Sequence, residues 1–319
     1  MKKIRLALLS GGISSERDVS LNSGKQVFNA LDKSKYDIRQ YDPKTDLKQL
    51  VMDADTIDAA LIILHGPFGE DGTVQGLLDL LDIPYQGAGV LGSAMAMNKL
   101  VAKQLYTKAN IPTPDYLACS ACQVPDTQTI LTTLGLPLVV KPACAGSSVG
   151  MTIVKKAEQL EPALALGFEH DDHVLVEKYI SGVELTCGVL GNDSLEALPV
   201  IEIIPGDGHE FFDYHAKYVA GASSEICPAR IDEQITRKVQ QLAIDAHNAL
   251  FLKGYSRTDL ILHNGDLTVL ETNTIPGMTA TSLFPQSAEA AGYSFSRLLD
   301  LLIQLSIQEH ERIKSRRHI

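Results

Sequence analysis

The sequence contains no tryptophan, few aromatic residues (6%), and too few basic residues to offset its acidic ones. Its 28 Lys and Arg stand against 39 Asp and Glu, a net charge of −11. The missing tryptophan excludes nothing. The missing positive charge does, because a surface this acidic repels nucleic acid and anionic membranes, and neither is expected as a partner. No run approaches the ~18 apolar residues of a membrane span. The apolar start at 4–9 is too short for the apolar region of a signal sequence and ends in Gly11-Gly12 without a small-x-small cleavage site. A first β-strand and cytoplasmic residence are predicted instead. Cysteine is scarce, five in all, and Cys119 and Cys122 form a lone C-x-x-C without a second ligand pair at zinc spacing. Free thiols are expected. A Walker A sequence is also missing, since Gly24-Lys25 is followed by Gln26. No internal repeat and no low-complexity segment is present.

What is present is an ordinary globular composition, 45% hydrophobic and 21% charged, over 319 residues. That length fits two or three units of roughly 100–150 residues. Through the first hundred residues apolar strands (4–9, 58–64) alternate with helical patterns (19–31, 74–81), which predicts a parallel, wound α/β layer. Gly87-Ala88-Gly89-Val90-Leu91-Gly92 matches G-x-G-x-x-G. It follows only a very short strand, and no acidic residue ends a convincing next strand, so a loop leading into a helix is the better reading. A helix is predicted over 98–109 and a boundary at Ile111-Pro112-Thr113-Pro114. Strands follow at 136–141, 151–154, 174–178 and 184–190. Residues 205–225, with Asp213, Lys217 and Tyr218, form a long stretch without regular pattern, of the kind that serves as a lid. Beyond it come a helix at 232–250, strands at 255–263 and 267–272, and a final helix at 286–306. The basic run from Glu311 to His318 reads as the solvated end of a helix.

Two places carry chemistry. Between the strands at 136–141 and 151–154 lies Lys141-Pro142-Ala143-Cys144-Ala145-Gly146-Ser147-Ser148-Val149-Gly150. Small residues in succession leave backbone N–H groups able to fold over an anion, and Lys141 adds a cation. A merely flexible hairpin loop would look the same. The second place is Arg257-Thr258-Asp259 followed by Glu271-Thr272-Asn273. Strand alternation puts Arg257 with Asp259, and Glu271 with Asn273. If those faces coincide, Asp259, Glu271 and Asn273 make an all-oxygen site suited to Mg²⁺. A two-residue turn at Asn264-Gly265 would set Asp259 opposite Leu270 and spoil this. A shared face therefore predicts an odd loop, such as His263-Asn264-Gly265, with Gly265 left-handed and a G1 bulge.

At these residues the chain resembles a known family. Gly11-Gly12-Ile13-Ser14-Ser15-Glu16-Arg17-Asp18-Val19-Ser20 is similar to the first loop of D-alanine–D-alanine ligases, and His65-Gly66-Pro67-Phe68-Gly69-Glu70-Asp71-Gly72, with Gln75-Gly76 behind it, to their second. Met97-Asn98-Lys99, the Gly146-to-Gly150 loop, Lys217-Tyr218, Arg257-Thr258-Asp259 and the run from Glu271 through Thr279 match in the same order, over nearly the whole chain. Ala145 departs from the charged residue that some relatives carry there. The resemblance implies α/β and α+β architecture: an ATP-grasp fold with an N-terminal wound α/β unit (1–98), a central lobe (99–184) and a C-terminal lobe with the lid (185–319).

It also implies roles. Lys99, Lys141, Ser148 and Lys217 would meet the phosphates of ATP. Glu177, Lys178 and Ile180 would meet adenine, and Glu184 the ribose. Asp259, Glu271 and Asn273 would hold two Mg²⁺ (or Mn²⁺). Glu16 would hold the ammonium group of the first D-alanine. His65 is either structural or on the substrate side. Gly277, Ser282 and Leu283 would form the pocket for the second D-alanine. Arg257 and the Gly277 N–H would stabilise the tetrahedral oxyanion, while Tyr218 meets Ser147 and Glu16 as the lid closes. Family membership further implies a homodimer acting in peptidoglycan precursor synthesis. Other acceptors (D-lactate, D-serine) and a non-catalytic nucleotide-binding protein are the competing readings. A neutral tyrosine at 218, where ester-forming relatives often carry histidine, points to an amine acceptor.

Overall fold

A computed structural model describes residues 2–146, 149–206 and 223–317. The first part of the chain runs β1 (Ile4–Ser10), α1 (Arg17–Ala30), β2 (Tyr36–Tyr41), α2 (Leu47–Met52), β3 (Ala59–Ile63), α3 (Thr73–Leu80) and α4 (Gly89–Met97). β1 lies between β2 and β3, parallel to both. From Leu6 onward both faces of β1 are covered, so its middle, Leu6 through Leu9, is continuously apolar rather than alternating. The middle part contributes α5 (Lys99–Lys108), β4 (Tyr116–Ser120), α6 (Thr127–Leu134), β5 (Leu138–Pro142), β6 (Thr152–Val154), α7 (Leu160–Phe168) and β7 (His173–Lys178). Its antiparallel sheet has the order β4-β7-β5-β6, with α6 and α7 packed on one face around Ile130, Leu160 and Leu164.

The last part comprises β8 (Val183–Leu190), β9 (Glu196–Ala197), β10 (Ile201–Pro205), β11 (Ser223–Ile226), α8 (Glu233–Ala249), β12 (Tyr255–His263), β13 (Asp266–Asn273), α9 (Leu283–Ala290) and α10 (Phe295–Arg317). Its antiparallel sheet has the order β11-β10-β8-β12-β13, with β9 on β8. Ala102 and Tyr106 of α5 and Val239 and Ala243 of α8 share one core with Leu185, Val189 and Val269 of this sheet. α10 returns to the N-terminal sheet, where Leu298, Leu299 and Leu302 pack with Leu6, Leu8 and Leu61. Among the described residues, no helix is long and apolar enough to cross a membrane.

Several expectations need correction. The predicted final helix is two helices, α9 and α10, parted at Gly292, whose φ of 92° suits the left-handed turn between them. Pro205 and Ser223–Glu225 are not irregular: they pair in β10 and β11. The rest of the expected lid, with Asp213, Lys217 and Tyr218, lies outside the described residues, as do Ser147 and Ser148. The turn in the β12–β13 hairpin is also not the odd loop. Asn264 (φ 50°) and Gly265 (φ 90°) form a two-residue turn, with His263 paired to Asp266. The extra residue sits inside the strand: Asp259 pairs with Glu271 but Leu260 pairs with Val269, so Leu270 is bulged. Cys119, Cys122, Cys144, Cys187 and Cys227 are free thiols, as expected.

Candidate active site

The three sheets enclose a cavity of about 650 Å³. Glu16 and His65 enter it from the first sheet's loops. Lys99, Lys141, Glu177, Lys178 and Ile180 come from the middle part. Glu184, Arg257, Asp259, Glu271, Asn273, Gly277, Ser282 and Leu283 come from the last. Every candidate residue that the structure describes therefore lines one space.

The β12–β13 hairpin explains the alternation of its motifs. The bulge at Leu270 brings Asp259 opposite Glu271 and Arg257 opposite Asn273. The threonines between them point to the other face. There Thr258 and Thr272 share a 3.0 Å hydrogen bond, and Tyr106 of α5 donates its hydroxyl to Thr272 at 2.8 Å. On the cavity face Arg257 donates to both Asp259 oxygens, Nε to Oδ1 at 2.9 Å and Nη2 to Oδ2 at 2.8 Å. Thr186 donates to Asp259 Oδ1 at 2.6 Å and Asn273 Nδ2 to Oδ2 at 3.1 Å. Glu271 lies 3.6 Å from Lys99 Nζ. Two carboxylates and an amide on one face make an oxygen donor set, with neighbouring cations offsetting its charge. Such a set fits a hard divalent ion.

Asn98 caps α5 by accepting from the N–H groups of Leu100 and Val101, and this aims Lys99 at the loop that follows β5. Lys99 binds that segment twice: its N–H donates to Ala143 O at 2.9 Å and its Nζ to Ala145 O at 2.7 Å. Lys141 lies two residues beyond Val139, the cross-strand neighbour of Glu177, so the two side chains share a sheet face. Their Nζ–Oε2 separation is 2.9 Å.

Glu16 sits immediately before α1 and is buried. A Cβ at Gly146 would stand 2.9 Å from its carboxylate, and one at Gly66 3.0 Å, so a side chain at either position would push the Glu16 carboxylate aside; Gly66 also has a left-handed φ of 70°. His65 is buried with Nε2 unpartnered among the described residues. Burial, the largest cause, holds its imidazole below the ordinary value. At the far end, the Ser282 hydroxyl accepts from the Thr279 N–H at 3.1 Å instead of capping α9. A Cβ at Gly277 would meet that hydroxyl at 2.9 Å.

Sequence reasoning missed two residues here. Lys103 is fully buried beside Glu177. Glu70 lines the cavity and accepts from the Gly66 N–H at 2.6 Å. Burial, then the nearby Glu16 carboxylate, pushes the Glu70 carboxyl up to about 8. Its raised value in the folded chain means the stability it contributes is intact below the ordinary 4.5 and is lost as pH rises through about 8. Melting temperatures of the wild-type chain should therefore fall relative to Glu70→Gln across that window. Because Glu70 is only partly buried by area, the slope should stay below the limit of about 1.4 kcal/mol per pH unit for one proton. Parallel pH profiles would show that Glu70 is ionised throughout.

Comparison with known proteins follows the same lines. The family profile described as "D-ala D-ala ligase C-terminus" matches residues 105–304, and "D-ala D-ala ligase N-terminus" matches 40–88. A D-alanine–D-alanine ligase of Syntrophobacter fumaroxidans is 59% identical over 97% of this chain and 99% of its own length. One from Desulfotalea psychrophila is 52% identical over 97% and 96%. The crystal structure of a D-alanine–D-alanine ligase from Bacillus anthracis complexed with ATP superposes with a TM-score of 0.86 at 35% identity, covering 97% of this chain and 99% of that one.

Proposed function

The chain belongs to the D-alanine–D-alanine ligase family, and from that membership we propose how its own residues join two D-alanines with ATP. It is an ATP-grasp ligase whose lobes follow a wound α/β unit. The three parts are taken as 1–98, 99–184 and 185–319, with the last seam falling inside β8, so that Glu184 already belongs to the last sheet. The observation that carries the reading is the shared cavity, with Asp259 and Glu271 paired directly across the hairpin.

Joining a carboxylate to an amine in water is uphill, so the first D-alanine's carboxylate must become an acyl phosphate. Positioning and charge neutralisation are what phosphoryl transfer asks of a protein. Lys99 and Lys141 supply cations to the phosphates, as does Lys217, and Ser148 adds a hydroxyl donor; the last two lie outside the described residues. Glu177, Lys178 and Ile180 border the adenine end and Glu184 the ribose. Asp259, Glu271 and Asn273 would hold two Mg²⁺ or Mn²⁺, which supply charge neutralisation at the phosphates. Glu16, with His65 beside it, receives the ammonium group of the first D-alanine. Ser282 leaves the first turn of α9 without a side-chain cap, and N–H groups at such a turn suit the carboxylate of the second D-alanine near Leu283. Its neutral amine attacks the acyl carbon, and the tetrahedral intermediate collapses to the peptide bond as the C–O bond to phosphate breaks, releasing inorganic phosphate and the amine's proton. Arg257 and the Gly277 N–H stabilise the oxyanion that forms. Until that attack, Ser147, Tyr218 and the lid keep the acyl phosphate from water.

Membership of this family supports a cytoplasmic homodimer that makes peptidoglycan precursor. The test is ADP and phosphate release with D-alanine and ATP, followed by product analysis with D-lactate and D-serine in competition. D-alanyl-D-alanine should dominate from pH 7 to 9. Dominant ester at pH 7 would contradict the role given to Tyr218, and no release of ADP would contradict the ligase reading.

A further inference from the structure

One charged group beside the cavity has no part in the scheme above. Lys103 lies on α5 one turn beyond Lys99, so a single helix face carries one ammonium group into the cavity and one behind its wall. Lys99 meets the Ala145 carbonyl, while Lys103 turns beneath the middle sheet. There its side chain is 1% exposed. Its Nζ donates to Thr113 Oγ1 at 2.6 Å and to the Pro114 carbonyl at 3.3 Å. It stands 5.2 Å from the Tyr116 ring centre and 3.1 Å from Glu177 Oε1. The last contact is an ion pair without hydrogen-bond alignment. Burial pushes the Lys103 ammonium down to about 8, Glu177 opposes that shift, and Lys141 adds to it.

Two ammonium groups thus share one buried carboxylate: Lys141 on Oε2 and Lys103 on Oε1. The two lysines are not equivalent. Lys141 borders the cavity, whereas Lys103 is sealed from it by its own partners. A buried carboxylate stripped of every counter-ion costs several kcal/mol. If Lys141 were the only cation on Glu177, it could turn to an anion in the cavity only by leaving that charge bare.

We infer that Lys103 is a positioning residue for nucleotide phosphates: it is the fixed counter-ion of Glu177 that lets Lys141 swing from the carboxylate to a phosphate. The inference rests on the proposed meeting of Lys141 with phosphate. It assigns Lys103 no contact with nucleotide.

Binding separates this role from a purely structural one, and needs no turnover. Calorimetry at fixed Mg²⁺ should compare ADP with adenosine on the full chain. In Lys103→Met, Lys141 becomes the only counter-ion of Glu177 among the described residues. ADP affinity should fall by about tenfold or more, the scale of one lost charge-assisted contact, while adenosine affinity stays within about twofold of wild type. Adding Glu177→Gln removes the charge that traps Lys141, so Lys103→Met/Glu177→Gln should bind ADP about as tightly as Glu177→Gln alone, a comparison in which any contact of residue 177 with adenine cancels. If Lys103→Met does not fold, the double variant and Glu177→Gln alone provide the comparison. With residue 177 neutral, the lysine's removal should leave ADP affinity nearly unchanged. Wild-type ADP affinity in Lys103→Met, or equal losses for ADP and adenosine, would overturn the inference. So would a large loss of ADP affinity in the double variant relative to Glu177→Gln alone. Failure of the wild-type chain to bind ADP would instead overturn the nucleotide reading of the cavity on which the inference stands.

Discussion

Glu271→Gln is expected to leave the fold intact and lower dipeptide synthesis by about 10³-fold, the effect of losing several kcal/mol of charge stabilisation at the phosphates. The exchange keeps shape and removes one negative charge. Glu271 lies directly opposite Asp259 at the bulge, with Lys99 Nζ 3.6 Å away. A neutral amide there weakens the donor set for Mg²⁺ and unpairs Lys99 from the carboxylate at once. These two consequences are separable. If the metal dominates, raising Mg²⁺ should recover part of the activity and the apparent Mg²⁺ requirement should shift upward. If Lys99 dominates, activity stays low at any Mg²⁺ concentration. The side chain retains some exposure and lies outside the apolar cores, so melting temperature should change little. Near-normal turnover at saturating Mg²⁺ would remove Glu271 from the metal site.

That site was half legible in the sequence. Alternation alone places Arg257 with Asp259 and Glu271 with Asn273, and the strand lengths are plain. The register between the strands is not. Asn264-Gly265 signals its two-residue turn clearly, and taken at face value it puts Asp259 opposite Leu270. The rescue is a bulge at Leu270, and a leucine carries no local sign that it will bulge. The N-terminal strand β1 was readable because both faces are buried. β2, Tyr-Asp-Ile-Arg-Gln-Tyr, escaped notice because it is an edge strand whose middle residues face largely outward. Lys103 and Glu70 were invisible for a different reason. A lysine one turn after another on a helix reads as solvent-facing, and only the sheet packed against α5 buries it. Gly146 was read as part of a loop that could be merely flexible, and Gly66 only as part of a family motif. Their tight approach to Glu16 depends on two distant loops meeting.

Arg257→Met should reduce kcat by about 10²-fold or more, the scale of losing one oxyanion donor. The structure sharpens that expectation. Arg257 is held by two hydrogen bonds to Asp259, so its position is fixed before substrate arrives and little reorganisation accompanies the developing charge. Arg257→Lys should restore little, because a single ammonium group cannot reproduce the forked contact. The link to Asp259 also gives a sign that tells this effect from a metal defect. Removing a cation beside Asp259 leaves that carboxylate more available to Mg²⁺, so the apparent Mg²⁺ requirement should stay the same or fall while kcat drops. Glu271→Gln moves it the other way. Ser282→Ala is the contrast at the far end of the cavity. Its hydroxyl is engaged with Thr279 and touches the binding end rather than the reacting centre. Its loss should raise the KM for the second D-alanine by about tenfold, one hydrogen bond's worth, with kcat nearly kept. Steady-state kinetics with D-alanine and Mg²⁺ varied independently reads all three quantities. A purely KM effect from Arg257→Met, or a Mg²⁺ requirement that rises with it, would show that Arg257 serves ground-state binding or the metal and not the oxyanion.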